Sequence, residues 1–112
     1  MKAQLEIYAL PEFEKTAKKI WPKKPLIAIN REIAQNFYKA IPLGKGLYKL
    51  RLPIEGKGKS GGARVIFLTI TKDREILLLT AFKKAEKENL TKKQLNELAE
   101  LGKEILENGE WL

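Results

Sequence analysis

The chain has 112 residues, 44% of them apolar and 32% charged, with a net charge of +8 and neither cysteine nor histidine. That length leaves room for one domain, residues 1–112, around one modest core. Without thiols there is no disulfide framework or thiolate metal site, and without imidazole the commonest metal ligand and neutral-pH acid–base are missing.

No apolar run approaches the roughly 18 residues of a membrane span, and the first residues lack the apolar core of a signal peptide, so a cytoplasmic location is expected. Residues 3–9 alternate loosely, with Leu5 and Ile7 on one side and Gln4 and Glu6 on the other, which predicts a short strand. Pro11, at a favoured first-turn position, opens a helix whose Phe13, Ala17 and Ile20 share a face. Acids lie early in it and lysines late, as the helix dipole prefers, and Trp21-Pro22 ends it. From Pro25 a second helix follows, carrying Leu26, Ile29, Ile33 and Phe37 on one face and Lys24, Arg31 and Gln35 on the other, and stopping before Pro42 and Gly44. Such a pair, joined by a short Pro-containing turn, predicts a helical hairpin packed on a sheet, with Phe13 and Phe37 in the core.

Leu47 to Ile54 alternates, placing Leu47, Lys49 and Arg51 on one face of a strand and Tyr48, Leu50, Leu52 and Ile54 on the other. After a Gly56–Gly62 loop, Ala63–Thr71 reads as a strand, Lys72–Glu75 as a turn and Ile76–Phe82 as an almost wholly apolar strand, suited to the middle of a sheet. Strands in that order with short links make an antiparallel meander. Thr91 and Gln94 form a capping-box pattern, and Leu90 and Leu95 have the spacing of a hydrophobic staple, so a last helix starts at Thr91. Its expected apolar face is Leu95, Leu98, Leu101, Ile105 and Leu106, its outer face is acidic, and Asn108-Gly109 stops it.

Six of the eight glycines fall between Gly44 and Gly62, interleaved with Lys45, Lys49, Arg51, Lys57, Lys59 and Arg64 against the single acid Glu55. Closely spaced cations displace counterions from a phosphate backbone, and glycines let the main chain approach it, so an anionic partner is the first inference. The same composition also fits an exposed hairpin loop kept soluble by its lysines. Within a meander, Lys49, Arg51, Lys57, Lys59, Arg64, Lys83 and Lys84 converge on one surface. There are no carboxylates paired for two-metal phosphodiester chemistry, Gly56–Gly58 is not followed by a helix, and Gly58-Lys59-Ser60 lacks the upstream glycine of a P-loop, since residue 53 is proline. An RNase that uses no metal and no histidine is permitted: the RNA 2′-hydroxyl would attack the phosphate, with a lysine as base and arginine as phosphate clamp.

Leu-Gly-x-Gly-Leu-Tyr-Lys-Leu-Arg at 43–51, Gly-x-Gly-Lys-Ser-Gly-Gly-Ala-Arg-Val-Ile at 56–66, Leu-Leu-x-x-Phe-x-Lys at 78–84 and Glu-Asn-Leu-Thr at 88–91 resemble the RelE/ParE superfamily of type II toxins, in its RelE/HigB-like branch. The resemblance is strong over 43–107 and unspecific over 1–42, where Pro11-Glu-Phe-Glu-Lys15 is similar to the family's first helix. It implies an α+β RelE-like domain: an N-terminal strand and helical hairpin on an antiparallel sheet, then a C-terminal helix. It also implies a ribosome-dependent mRNA endoribonuclease that inhibits translation without metal or cofactor and is neutralised by a cognate antitoxin in an oligomeric complex. Carried over, Arg51, Lys57 and Lys59 resemble the family's basic strand-and-loop residues, Arg64 the arginine that stabilises the scissile phosphate, and Lys84 or Lys83 the basic residue after the last core strand. Lys45, Lys49 and Lys83 are expected to bind RNA. Some members place a tyrosine or histidine after that strand, where this chain has Glu86, Lys87, Glu88, Asn89 and Leu90. The alternatives are a ParE-like gyrase inhibitor, which the basic constellation disfavours, and a non-catalytic RNA-binding module.

Overall fold

The computed structural model describes residues 5–55, 61–71, 74–87 and 89–108. In chain order these form β1 (Glu6–Ala9), α1 (Pro11–Ile20), α2 (Leu26–Asn36), a 3₁₀ turn (Phe37–Lys39), β2 (Ile41–Gly44), β3 (Leu47–Leu52), β4 (Ala63–Thr71), β5 (Glu75–Lys83) and α3 (Lys92–Asn108). One five-stranded sheet runs β1-β5-β4-β3-β2, antiparallel throughout except that β1 lies parallel to β5. This is the α+β arrangement expected from the sequence. Among the described residues, no helix is long and apolar enough to cross a membrane.

The alternation within the strands divides the core in two. Leu50, Leu52, Val65, Phe67, Ile76 and Leu78 face α1 and α2, where Phe13, Ala17, Ile29 and Ile33 are buried. Leu47, Ile66, Leu68, Leu77 and Leu79 face α3 and its Ile105. Burying a side chain such as Phe13 completely is worth about 2–3 kcal/mol. Because β4 is covered on both faces, Ala63 to Leu68 are all buried, and Arg64 is the only charged one among them. Tyr48 and Phe67, partners across β3 and β4, stack 5.4 Å apart and 11° from parallel.

The meander has one strand more than the periodicity suggests. β2, only Ile41–Gly44, carries Pro42 and lies at the sheet's edge, where a missing N–H costs nothing. It turns into β3 through Gly44, Lys45 and Gly46, with φ of 93°, 57° and 81°, so two of these left-handed positions are taken by glycine. The second helix ends at Asn36, earlier than Pro42, and Leu26 at its start is 37% exposed rather than core. Phe37 packs against the core from the 3₁₀ turn. β5 begins at Glu75, which pairs with Thr71, while Lys72 and Asp73 lie outside the described residues.

α3 begins as its capping box requires. The Thr91 N–H donates to Gln94 Oε1 at 2.9 Å, and the Gln94 N–H donates to Thr91 Oγ1 at 3.1 Å. Its buried stripe differs from the expected one: Gly102 is buried and Leu101 is 41% exposed. The helix approaches the sheet closely at Gly102, where a Cβ would come within 2.7 Å of Leu68 Cδ2. Asn108 is the last helical residue, and Gly109 lies outside the described residues.

The open edge of β5 beyond β1 is satisfied by a side chain. β1 pairs only as far as Leu78, and the Ala81 N–H donates to Thr16 Oγ1 at 3.1 Å. Thr16 therefore ties α1 to the sheet as well as donating back to its own helix.

Candidate functional site

β2 meets β3 only up to the pairing of Ile41 with Lys49, so no described strand covers the outer edge of β3 at Leu50, Arg51 and Leu52. An open cleft of about 820 Å³ lies along that edge. On one side it is lined by Lys49, Arg51 and Arg64, which the strand alternation places together on the α3 face of the sheet. Arg51 and Arg64 are direct partners across β3 and β4. Arg51 is exposed, whereas Arg64, at 3% exposure, forms the floor and sends Nη1 to the carbonyl of Ala63 at 3.4 Å. The Lys49 ammonium donates to Asn89 Oδ1 at 2.7 Å, from the segment that leads into α3.

The opposite side comes from α2 and the 3₁₀ turn: Glu32, Gln35, Asn36 and Lys39, one helical stripe that points at the cleft. Glu32 is paired with Lys24 at 3.0 Å, and Asn36 Nδ2 donates to the carbonyl of Glu32 at 2.8 Å. Ile41, 56% exposed, supplies an apolar patch between the two sides. The end of the cleft is fixed from α1, because Trp21 Nε1 donates to the carbonyl of Pro53 at 3.0 Å.

Gly62 explains how β4 starts where it does. A Cβ there would lie 2.5 Å from the carbonyl oxygen of Leu52, so only glycine lets the chain re-enter the sheet so close to the end of β3. Its own carbonyl accepts the Lys84 N–H at 3.0 Å, joining the end of β5 to the same corner.

Of the residues singled out from the sequence, the fold brings Lys49, Arg51 and Arg64 into one cleft. Lys57 and Lys59 lie outside the described residues. Lys45 does not line the cleft: it sits in the β2–β3 turn and donates to Asn96 of α3 at 2.7 Å. Lys83 pairs with Ala63, whose side chain faces α1 and α2, and so points to the other face of the sheet. Lys84 follows it in the turn after β5 and does not line the cleft.

Sequence reasoning missed the whole α2 side of the cleft. Glu32, Gln35, Asn36 and Lys39 recur at helical spacing, but a polar helical stripe reads as solvated until something is known to face it. Asn89 belongs to the Glu-Asn-Leu-Thr run that carries the family resemblance, but nothing in the sequence pointed to its contact with Lys49.

Chemically, this is a cationic concavity able to hold a phosphodiester: guanidinium groups with fixed fork geometry beneath and beside the anion, and an ammonium next to them. A family model described as the RelE toxin of the RelE / RelB toxin-antitoxin system matches residues 5–110, almost the whole chain.

Proposed function

Because the chain belongs to the RelE toxin family of toxin–antitoxin systems, we propose that this toxin is an endoribonuclease of the RelE/HigB-like branch that cuts mRNA on the ribosome. The observation that carries this reading is the apposition of Arg51 and Arg64, with Lys49 alongside, in one open cleft.

In the proposed reaction the ribose 2′-hydroxyl attacks the adjacent phosphorus. A new P–O2′ bond forms as the P–O5′ bond breaks, leaving a 2′,3′-cyclic phosphate and a 5′-hydroxyl. A base takes the 2′-hydroxyl proton, an acid gives one to the leaving 5′-oxygen, and cations stabilise the charge gathering on the non-bridging oxygens. Arg51 reaches the phosphate from the open side of the cleft, while Arg64 raises the positive potential from its floor. Lys57 and Lys59, between β3 and β4 in the chain, are the proposed source of the base. Lys84 lies outside the cleft lining but is tied by its N–H to the Gly62 carbonyl at the corner where β4 begins, and is proposed to reach the leaving oxygen from there as the acid. Lys45 and Lys83 are assigned to RNA binding outside the cleft.

A toxin of this family has an antitoxin partner. Here an acidic or amphipathic segment of the antitoxin is proposed to cover the basic surface, and the toxin is proposed to act in the cytoplasm. The test is induced expression of the wild type and of Arg51→Ala, reading growth together with primer extension on translated and untranslated copies of one mRNA. Growth arrest with cuts in the translated copy alone, both lost in the variant, is the expected result. Arrest with intact mRNA and a DNA-damage response would instead indicate gyrase poisoning.

A further inference from the structure

The two sides of the cleft are chemically unlike, and the difference bears on what part of a nucleotide each can hold. Lys49, Arg51 and Arg64 are cations, whose contacts with a phosphate fix its position but carry no information about the base. Across the cleft, Gln35 and Asn36 are adjacent amides. Gln35 is exposed and makes no hydrogen bond among the described residues, so its two donors and its acceptor face the cleft uncommitted. The Asn36 amide nitrogen is held by the carbonyl of Glu32, which fixes its orientation. Ile41 presents a half-exposed aliphatic surface between the two sides, at a place where covering it is favourable. Glu32 on the amide side is compensated by its pair with Lys24, and Lys39, at the end of that stripe, lies over the Tyr38 ring at 5.7 Å, so the amides rather than a cluster of cations face the middle of the cleft. A nucleotide in this cleft is therefore oriented, with its phosphate toward β3 and β4 and its base toward α2.

We infer that Gln35, with Asn36 beside it, reads the edge of a nucleobase lying on Ile41 while the adjoining phosphate rests on Lys49 and Arg51. This rests on the cleft being an RNA site and makes Gln35 a residue that sets base preference.

The test measures fluorescence anisotropy of the purified toxin with 2′-O-methyl oligonucleotides of A, C or U, which bind but lack the attacking hydroxyl. Gln35→Ala keeps a good helix former on an exposed helical position, and Arg51→Ala serves as the phosphate control. The wild type is expected to separate its best and worst bases by about 5-fold or more, the least that a two-point amide contact to a base gives. Gln35→Ala should bring that ratio to within about 2-fold while leaving the weakest oligonucleotide's affinity unchanged. Arg51→Ala should weaken all three and keep the ratio.

A ratio that survives in Gln35→Ala, or a uniform loss in that variant, overturns the inference. So does a Gln35→Ala variant that keeps the ratio and loses binding of an oligo-glutamate peptide, which would give this side of the cleft to a protein ligand. Cleavage is scored separately on translated mRNA. A Gln35-dependent ratio without cuts would sink the nuclease reading and keep the base contact, whereas cuts without such a ratio would do the reverse.

Discussion

Arg51 and Arg64 stand directly opposite each other on β3 and β4, one exposed and the other only 3% exposed, with both side chains on the face that carries Lys49. Like charges at directly opposed strand positions destabilise a sheet. Beside an open cleft, that pair suits an anion, since a phosphate next to both guanidinium groups is attracted by each.

The apposition separates stability from activity. Arg51→Ala is expected to leave the melting temperature unchanged, because Arg51 is exposed and makes no hydrogen bond or ion pair among the described residues, while cleavage of translated mRNA falls about 100- to 1000-fold. Arg51→Lys should recover only part of that loss, as an ammonium lacks the fork. Differential scanning calorimetry beside the cleavage assay reads both, and a lower melting temperature with cleavage intact would contradict the assignment.

Salt dependence should distinguish Lys49 from Lys45. Each phosphate contact contributes about −0.7 to the slope of log affinity against log salt for a single strand. Lys49→Ala should remove about one such contribution, whereas Lys45→Ala should change the slope less, since Lys45 lies outside the cleft. A titration from low to moderate salt with one RNA oligonucleotide makes the comparison, and equal slopes for the two variants would count against it.

Thr16→Val preserves shape and removes the hydroxyl that accepts from Ala81. With that N–H left unpaired beside a helix, the loss in unfolding free energy should be about 1–3 kcal/mol in urea. Native-state hydrogen exchange should show the Ala81 amide, more than those of β4, losing protection.

At the corner where β3 ends, Gly62→Ala pushes a methyl group against the Leu52 carbonyl, so the backbone must move. The expected cost is about 1–3 kcal/mol. Gly102→Ala comes closer than ordinary contact only to Leu68 Cδ2, the end of a side chain, and a helix prefers alanine by about 1 kcal/mol, so this variant should be the milder of the two. Parallel urea melts decide the order.

Much of the fold follows from local pattern. Pro11 at the start of α1, the Thr91–Gln94 capping box and the alternation from Leu47 are set by nearest neighbours in the chain and occur where the spacing puts them, although β3 ends at Leu52, before Pro53 and the expected Ile54. Where the reading failed, a long-range partner decided. Pro42 argues against a strand until β3 is known to lie on one side and open solvent on the other. Leu101 fits the helical period as well as Gly102 does, but Leu68 of β4 sits so close to α3 that there is no room for a leucine beneath the helix, and Gly102 faces the sheet instead.

The site divides in the same way. The sequence by itself placed Lys49 and Arg51 on one face of a strand, because side chains in a strand alternate, and concentrated positive charge in the centre of the chain. Only the tertiary structure set Arg64 opposite Arg51, turned Lys83 to the other face of the sheet and brought Gln35 and Asn36 across from the cations. These depend on strand register and on how a helix docks at a sheet edge, which are fixed by packing between segments far apart in the chain and leave no local pattern to read.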